Sequence, residues 1–250
     1  HLQAAMIPNC VTYDPTFHYE LAVIIQDGMR RMFQEQEDVF YYLTVMNENY
    51  SHPALPKGAE AGILKGLYRL SEGAKSRGKT RAGKTSPRVQ LMGSGTILRE
   101  VMAAAELLEA DWGVAADVWS ATSFNELRRE AQETHRWNLL HPDKKQKLSY
   151  VEQCLDGTEG PIVASTDYMR AFPDQIRPYV HRRFVTLGTD GFGRSDSREA
   201  LRRFFEVDRY YVVLAALKAL ADDATIPASK AAEAIRKYGI DADRSNPVNV

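Results

Sequence analysis

Cysteine is scarce in this chain: 250 residues carry two, Cys10 and Cys154. They lack both the paired spacing of a zinc site and the density of a secreted disulfide framework, and they read as reduced thiols of a cytoplasmic protein. No apolar run is long enough to span a membrane, and no basic-then-apolar leader opens the sequence. Neither charge sign dominates, since 32 Lys+Arg against 33 Asp+Glu leave a formal net charge of -1. The balance therefore gives no reason to expect nucleic acid or an anionic membrane as partner. Catalytic signatures are sparse too. There is no Gly-x-Ser-x-Gly elbow. His135, His141 and His181 are scattered and read as loop or helix-surface residues, and His18, close to Glu20, as a structural histidine. An initiator methionine is also missing: the chain opens on His1-Leu2-Gln3, as a processed chain, a fragment or a cut domain would.

What is present is an ordinary globular composition, 44% hydrophobic and 26% charged, over a length that suits one large domain or two modest ones. Asp14 as cap and Pro15 at the first helical position predict a helix over Thr16–Phe33. The β-formers of Asp38–Met46 predict a buried strand. Pro53 and Pro56 make 51–58 an extended linker and the place for a domain boundary. Ile63–Leu70 reads as an edge strand, Val89–Met92 as a strand, Gly93-Ser94-Gly95 as a turn and Thr96–Ala110 as an amphipathic helix. Val114–Ser120 follows as a strand, and Ser123 caps a helix that begins at Phe124. A strand at Pro161–Ser165, a helix around Tyr168–Tyr179, a strand at Phe184–Leu187 and helices around Asp196–Phe205, Asp208–Ala221 and Pro227–Tyr238 complete the series. Repeated β-α order points to an α/β fold with a mostly parallel sheet covered on both faces.

Three stretches are candidate places for chemistry. Asn47-Glu48-Asn49-Tyr50 closes a predicted buried strand, where open α/β sheets place ligands; a hydrogen-bonded loop entry is the alternative. His52 follows and can face a cleft. The basic run Lys75–Arg88, which contains no acid, can grip phosphates or an acidic partner, or form a solvated hairpin loop. Gly188-Thr189-Asp190-Gly191-Phe192-Gly193-Arg194-Ser195-Asp196 joins a strand to a helix, and Asp196 and Glu199 have the spacing of a capping box. Its geometry suits a phosphate at a helix N-terminus, and equally a tight connection that presents Phe192 or Arg194 at an interface. The unit at Gly93 and Gly95 carries Leu98 where a third glycine would stand, so it falls short of a dinucleotide fingerprint.

Taken together, Ile7-Pro8-Asn9-Cys10, Tyr13-Asp14-Pro15, Asn47-Glu48-Asn49-Tyr50, Gly93-Ser94-Gly95, Thr122-Ser123-Phe124-Asn125-Glu126-Leu127, Arg136-Trp137-Asn138, Ala164-Ser165-Thr166-Asp167-Tyr168-Met169 and Gly188–Glu199 resemble one family over nearly the whole chain. It is the C-terminal portion of the homodimeric bacterial pyruvate dehydrogenases, the thiamin-diphosphate-dependent decarboxylating component of the pyruvate dehydrogenase complex. The resemblance implies a three-layer α/β/α transketolase C-terminal-like domain with a mostly parallel five-stranded sheet over residues 58–250, preceded at 1–57 by the end of a pyrimidine-binding domain. It implies oxidative decarboxylation of pyruvate and reductive acetylation of a lipoyl group. The implied partners are the second subunit of a homodimer and the dihydrolipoyl acetyltransferase component. Thiamin diphosphate and Mg²⁺ are implied with ligands outside this chain, because the family's Gly-Asp-Gly metal motif and cofactor glutamate are not here; Asp190-Gly191, preceded by Thr189, is not that motif. On the same footing His1 is a catalytic residue, the last member of a histidine-rich active-site loop. Asn47, Glu48, Asn49, Tyr50 and His52 line the substrate channel, and Phe192 and Arg194 lie at an interface. The chain alone is expected to be inactive. Another transketolase-like or 2-oxo-acid dehydrogenase enzyme, or a non-catalytic assembly module, stays open as the alternative.

Overall fold

The computed structural model describes residues 1–74 and 86–250, so most of the basic stretch 75–88 lies outside the described residues. In chain order the elements are β1 (Cys10–Tyr13), α1 (His18–Met29), β2 (Phe40–Leu43), α2 (Glu60–Lys65), β3 (Tyr68–Ser71), β4 (Arg88–Gly93), α3 (Leu98–Trp112) and β5 (Ala115–Ser120). There follow α4 (Phe124–Leu140), α5 (Tyr150–Leu155), β6 (Ile162–Ser165), α6 (Ala171–Asp174), β7 (Phe184–Leu187), α7 (Arg198–Phe204), α8 (Arg209–Asp222) and α9 (Ser229–Lys237). They form two compact units, each assembled from three separate stretches of chain.

The first unit comprises residues 1–68, 120–157 and 171–181. Its β1 and β2 pair in parallel, from Cys10 opposite Phe40 to Tyr13 opposite Leu43. Parallel strands need cover, and α4 supplies it to β1 by turning Phe124, Leu127 and Ala131 inward, all fully buried. As expected, Ser123 caps α4: its hydroxyl accepts from the Glu126 N–H at 3.0 Å and donates to the Thr12 carbonyl at 2.6 Å. The cap lies against Gly66, which ends α2 at φ +100°; a Cβ there would stand 2.4 Å from the Ser123 carbonyl oxygen, so only glycine fits.

The second unit comprises residues 69–119, 158–170 and 182–250. Its sheet has the order β3–β5–β4–β6–β7, with β4, β6 and β7 paired in parallel. β5 and β6 are buried at every position and β4 at all but its first, which is why they read as apolar runs rather than alternating ones. Helices α3 and α8 pack against each other, α3 on β4 and α8 on β6 and β7. On α3, Glu100 accepts from the Arg209 N–H at 3.1 Å, from Arg209 Nε at 2.9 Å and from Arg202 Nη1 at 3.3 Å. The fold is thus α/β, as expected.

Several local expectations are corrected. Asp14 and Pro15 do not start α1; Phe17 is the residue before its first turn, and the Asp14 carboxylate instead accepts from Thr44 Oγ1 at 2.7 Å. β2 is shorter than Asp38–Met46 and is not a buried strand: Phe40 and Tyr42 are exposed and Tyr41 and Leu43 half-buried. Ile63–Leu70 is not one strand: Ile63 is buried in the six-residue helix α2, and Gly66 turns the chain into β3, which does occupy the sheet edge. The helix expected over 168–179 breaks into α6 and a 3₁₀ turn at Arg177–Tyr179, with Pro173 and Pro178 removing backbone donors. Ser197, not Asp196, caps α7 by accepting from the Ala200 N–H at 3.2 Å, while Asp196 accepts from the Ser197 N–H.

Candidate functional site

Within the first unit, the turn Thr16-Phe17-His18 is where the predicted site residues meet the rest of the chain. It is held from inside by Glu20, whose side chain is fully buried in the first turn of α1. Glu20 Oε2 accepts from the Thr16 N–H at 2.6 Å and the Phe17 N–H at 2.9 Å. Its Oε1 accepts from the Tyr68 hydroxyl at 2.7 Å and the Ser120 hydroxyl at 2.6 Å. The Tyr68 hydroxyl hydrogen points at Glu20, so at 2.8 Å from Tyr19 its oxygen accepts from the Tyr19 hydroxyl. Burial pushes the Glu20 carboxyl upward against the pull of Ser120, Phe17, Tyr68 and Thr16. Burial likewise pushes the Tyr68 phenol up, and the Tyr19 phenol up to about 12, so both remain donors across the physiological range.

From outside, the same turn holds the segment beyond β2. The Tyr50 hydroxyl donates to the Thr16 carbonyl, and the His18 N–H donates to His52 Nδ1 at 3.2 Å. With Nδ1 accepting, the proton of a neutral His52 sits on Nε2. The His52 ring stacks on Tyr50 at 4.6 Å and 28°, meets His18 edge-on at 4.7 Å and is otherwise exposed. His18 is therefore a neighbour of His52. Asn47 and Asn49 are exposed and Glu48 and Tyr50 half-buried; they stand beyond the end of β2 rather than on its last residues.

His1 belongs to a second cluster. Its Nε2 lies 3.2 Å from Thr44 Oγ1, which passes its proton to Asp14, so the imidazole Nε2 is the donor to Thr44. The ring stacks on Phe172 at 4.8 Å and meets Tyr42 edge-on at 5.2 Å. Asn125 Nδ2 supports the same corner through the His1 carbonyl at 2.9 Å and Thr12 Oγ1 at 2.6 Å, and Gln175 donates to Asn125 Oδ1 at 2.7 Å.

In the second unit Phe192 is 90% exposed, and Arg194 lies over the Phe204 ring at 4.7 Å. The glycine-rich connection before them is pinned: Thr189 N–H donates to the Tyr168 carbonyl at 2.8 Å, and Asp190 accepts from the Arg170 N–H at 3.0 Å and pairs with its guanidinium at 2.9 Å. A Cβ on Gly188 would stand 2.5 Å from the Tyr168 carbonyl oxygen, so this glycine serves close packing of backbone on backbone.

His135 is exposed on α4 and His181 in a loop, as expected, but the two are not isolated from each other. His135 and His181, far apart in sequence, converge on Glu152 of the first unit, at 3.6 and 2.8 Å. Burial pushes the Glu152 carboxyl up, but hydrogen bonds from Ser149 and His181 outweigh it and hold it below the usual range. Glu20 escaped sequence reasoning because its partners Tyr68 and Ser120 lie far along the chain; the available signal was a glutamate at the third position of a helix. A cavity of 480 Å³, lined by Val23, Asp27, Phe33 and Leu64, opens beside α1, yet Asp27 is already paired with Arg30 at 2.6 Å. Among the described residues no group of three or more His, Cys, Asp or Glu is placed to hold a metal ion. Cys10 and Cys154 are free thiols.

Residues 66–208 match the family model of the transketolase-like TK C-terminal domain, and residues 1–53 that of the pyruvate dehydrogenase E1 component middle domain. The chain is 59% identical over its full length to the pyruvate dehydrogenase E1 component of Cupriavidus necator and 60% identical to that of Pseudomonas aeruginosa. It is 52% identical over 99% of its length to the Escherichia coli protein of the same name. It spans 27% of the length of each of these relatives. Among solved structures, transketolase from Leishmania mexicana matches with a TM-score of 0.55 at 15% identity, over 87% of this chain and 26% of that one. A transketolase from Pichia stipitis, in complex with sedoheptulose-7-phosphate, matches with a TM-score of 0.55 at 18% identity over the same shares. At such identities these two show a shared fold alone.

Proposed function

The chain belongs to the transketolase-like family as a C-terminal portion of a pyruvate dehydrogenase E1 component, and from that membership we propose that the longer enzyme carrying it decarboxylates pyruvate and passes the two-carbon unit to a lipoyl group. What supports the reading is a likeness that runs unbroken over all 250 residues, including the turn and the segment that carry the candidate site. Thiamin diphosphate supplies the carbanion chemistry when bound, and the protein supplies binding and orientation. The ligands of that cofactor and of Mg²⁺ belong to other parts of the longer enzyme. A second subunit of a homodimer and the dihydrolipoyl acetyltransferase component are its partners, in the cytoplasm.

In this reading Asn47, Glu48, Asn49, Tyr50 and His52 line the channel to the cofactor. Their polarity, and the anchorage of Tyr50 and His52 on the Thr16-Phe17-His18 turn, support it. His1, wired through Thr44 to the buried Asp14, is the proton-handling group of this portion. Phe192 and Arg194 lie at an interface; the exposure of Phe192 supports that role. The boundary between the pyrimidine-binding and transketolase C-terminal-like domains falls near residue 57.

Two measurements test the proposal. The full-length enzyme, with an acetyltransferase lipoyl domain, is expected to turn over pyruvate in strong preference to 2-oxoglutarate; the opposite preference would move it to another 2-oxo-acid dehydrogenase. Calorimetry on the 250-residue chain with thiamin diphosphate and Mg²⁺ is expected to show no binding. Heat of binding would place the cofactor ligands here.

A further inference from the structure

We propose that Glu20 is a positioning residue for the channel segment: it fixes the Thr16-Phe17-His18 turn on which Tyr50 and His52 are hung. The inference rests on the channel reading of that segment and adds a residue buried beneath it.

The geometry is a clamp with two sides. On the inner side both oxygens of a fully buried carboxylate are engaged, Oε2 by two successive backbone N–H groups of the turn and Oε1 by Tyr68 and Ser120. Tyr68 and Ser120 tether the carboxylate to sequence-distant parts of the same unit, so Glu20 cannot move independently of them. On the outer side the turn offers the carbonyl of the peptide group whose Phe17 N–H Glu20 holds, and the N–H of the next peptide group. The Thr16 carbonyl takes the Tyr50 hydroxyl, and the His18 N–H takes His52 Nδ1. Phe17, between them, presents its ring edge to His52 at 6.2 Å and stacks on Tyr19 at 5.3 Å. The groups facing His52 are thus Tyr50, Phe17 and His18, and the donor that selects its tautomer is a backbone N–H whose position is set by the turn Glu20 clamps. A side chain at the cap position would accept from the N–H groups of Tyr19 or Glu20, so those of Thr16 and Phe17 need an acceptor reaching back from the third helical residue, which is Glu20. Here the cap position is Phe17, and the acceptor comes from below, which leaves the outer face of the turn open to hold the channel segment.

Glu20→Gln keeps the volume but turns one acceptor oxygen into a donor, so with the remaining oxygen on the two backbone N–H groups the Tyr68 and Ser120 hydroxyls must reverse from donating to accepting, which disturbs the clamp on its inner side. The experiment is a double-mutant cycle on the full-length enzyme, with kcat/KM for pyruvate measured in wild type, E20Q, H52A and E20Q/H52A. E20Q is expected to lose about tenfold in kcat/KM, as a displaced positioning contact does, and to cost nothing further in the H52A background. A second tenfold loss there, or no loss in E20Q itself, overturns the proposal and leaves Glu20 a stabiliser of the fold. If H52A alone leaves kcat/KM unchanged, the channel reading of His52 falls, and the proposal with it. Should E20Q fail to fold, Ser120→Ala does the same work: it removes one donor from the far side of the carboxylate, and is expected to lose about threefold in wild type and nothing in H52A. Equal losses in both backgrounds again overturn it.

Discussion

Replacing Glu100 by glutamine should destabilise the second unit by about 3 kcal/mol, through the arginine left behind rather than the bonds removed. Glu100 is 7% exposed and Arg202 12%, whereas Arg209 is 43% exposed and stays solvated when its partner goes. Removing one member of a buried pair costs about 3–5 kcal/mol, and the solvation of Arg209 puts this case at the lower end. For a chain of this size that is roughly 6–12 °C in Tm. Burial pushes the Glu100 carboxyl up, but hydrogen bonds and charge from Arg209 and Arg202 outweigh it and hold it below its ordinary value. A carboxyl depressed in the folded state contributes stability that is full above its unfolded value, about 4.3, and is lost as pH falls through the folded one. The gap between wild type and E100Q should therefore be constant from pH 6 to 8 and close below about pH 4. Urea unfolding of the 250-residue chain followed by far-UV circular dichroism measures both quantities. The double variant E100Q/R202M, which removes the Arg202 charge together with its bond to Thr96 Oγ1, should recover about 1–2 kcal/mol. A double variant less stable than E100Q would refute the reasoning, as would a gap that widens in acid.

Other outcomes are accessible to the same assay. Gly66→Ala should cost about 2 kcal/mol or more, since it combines φ +100° with a Cβ 2.4 Å from the Ser123 carbonyl oxygen; a loss under about 0.5 kcal/mol would show that the turn relaxes freely. Ser123→Ala removes both the α4 cap and the donor to the Thr12 carbonyl, and should cost about 1–2 kcal/mol, with a urea midpoint equal to wild type counting against it.

The parts of the fold that could be read from the chain were those with local causes. β4, β5 and β6 are buried nearly throughout and announce themselves as apolar runs, and Ser123 ahead of Phe124 and Glu126 announces α4. Misreadings occurred where two local signals compete. Helix α2 is too short for a 3.6-residue period to show, so Ile63 to Leu70 looked like one strand although Gly66 marks a helix end. Asp14 ahead of Pro15 has the form of a helix start, but Thr44, thirty residues on, claims its carboxylate. The candidate segment Asn47 to His52 was visible as polar residues after a β-rich run. Its support was not, because Glu20 meets Tyr68 and Ser120, and Glu152 meets His135 and His181, only once the chain has folded.

The path of the backbone constrains how this protein can be made. Because each unit is stitched from three stretches, the first is incomplete until residue 181 has been synthesised and the second until its third stretch, which begins at residue 182, has followed. Neither can therefore be expressed as a continuous excerpt, and a gene cut at any single point within residues 69–119 leaves both halves short of a unit.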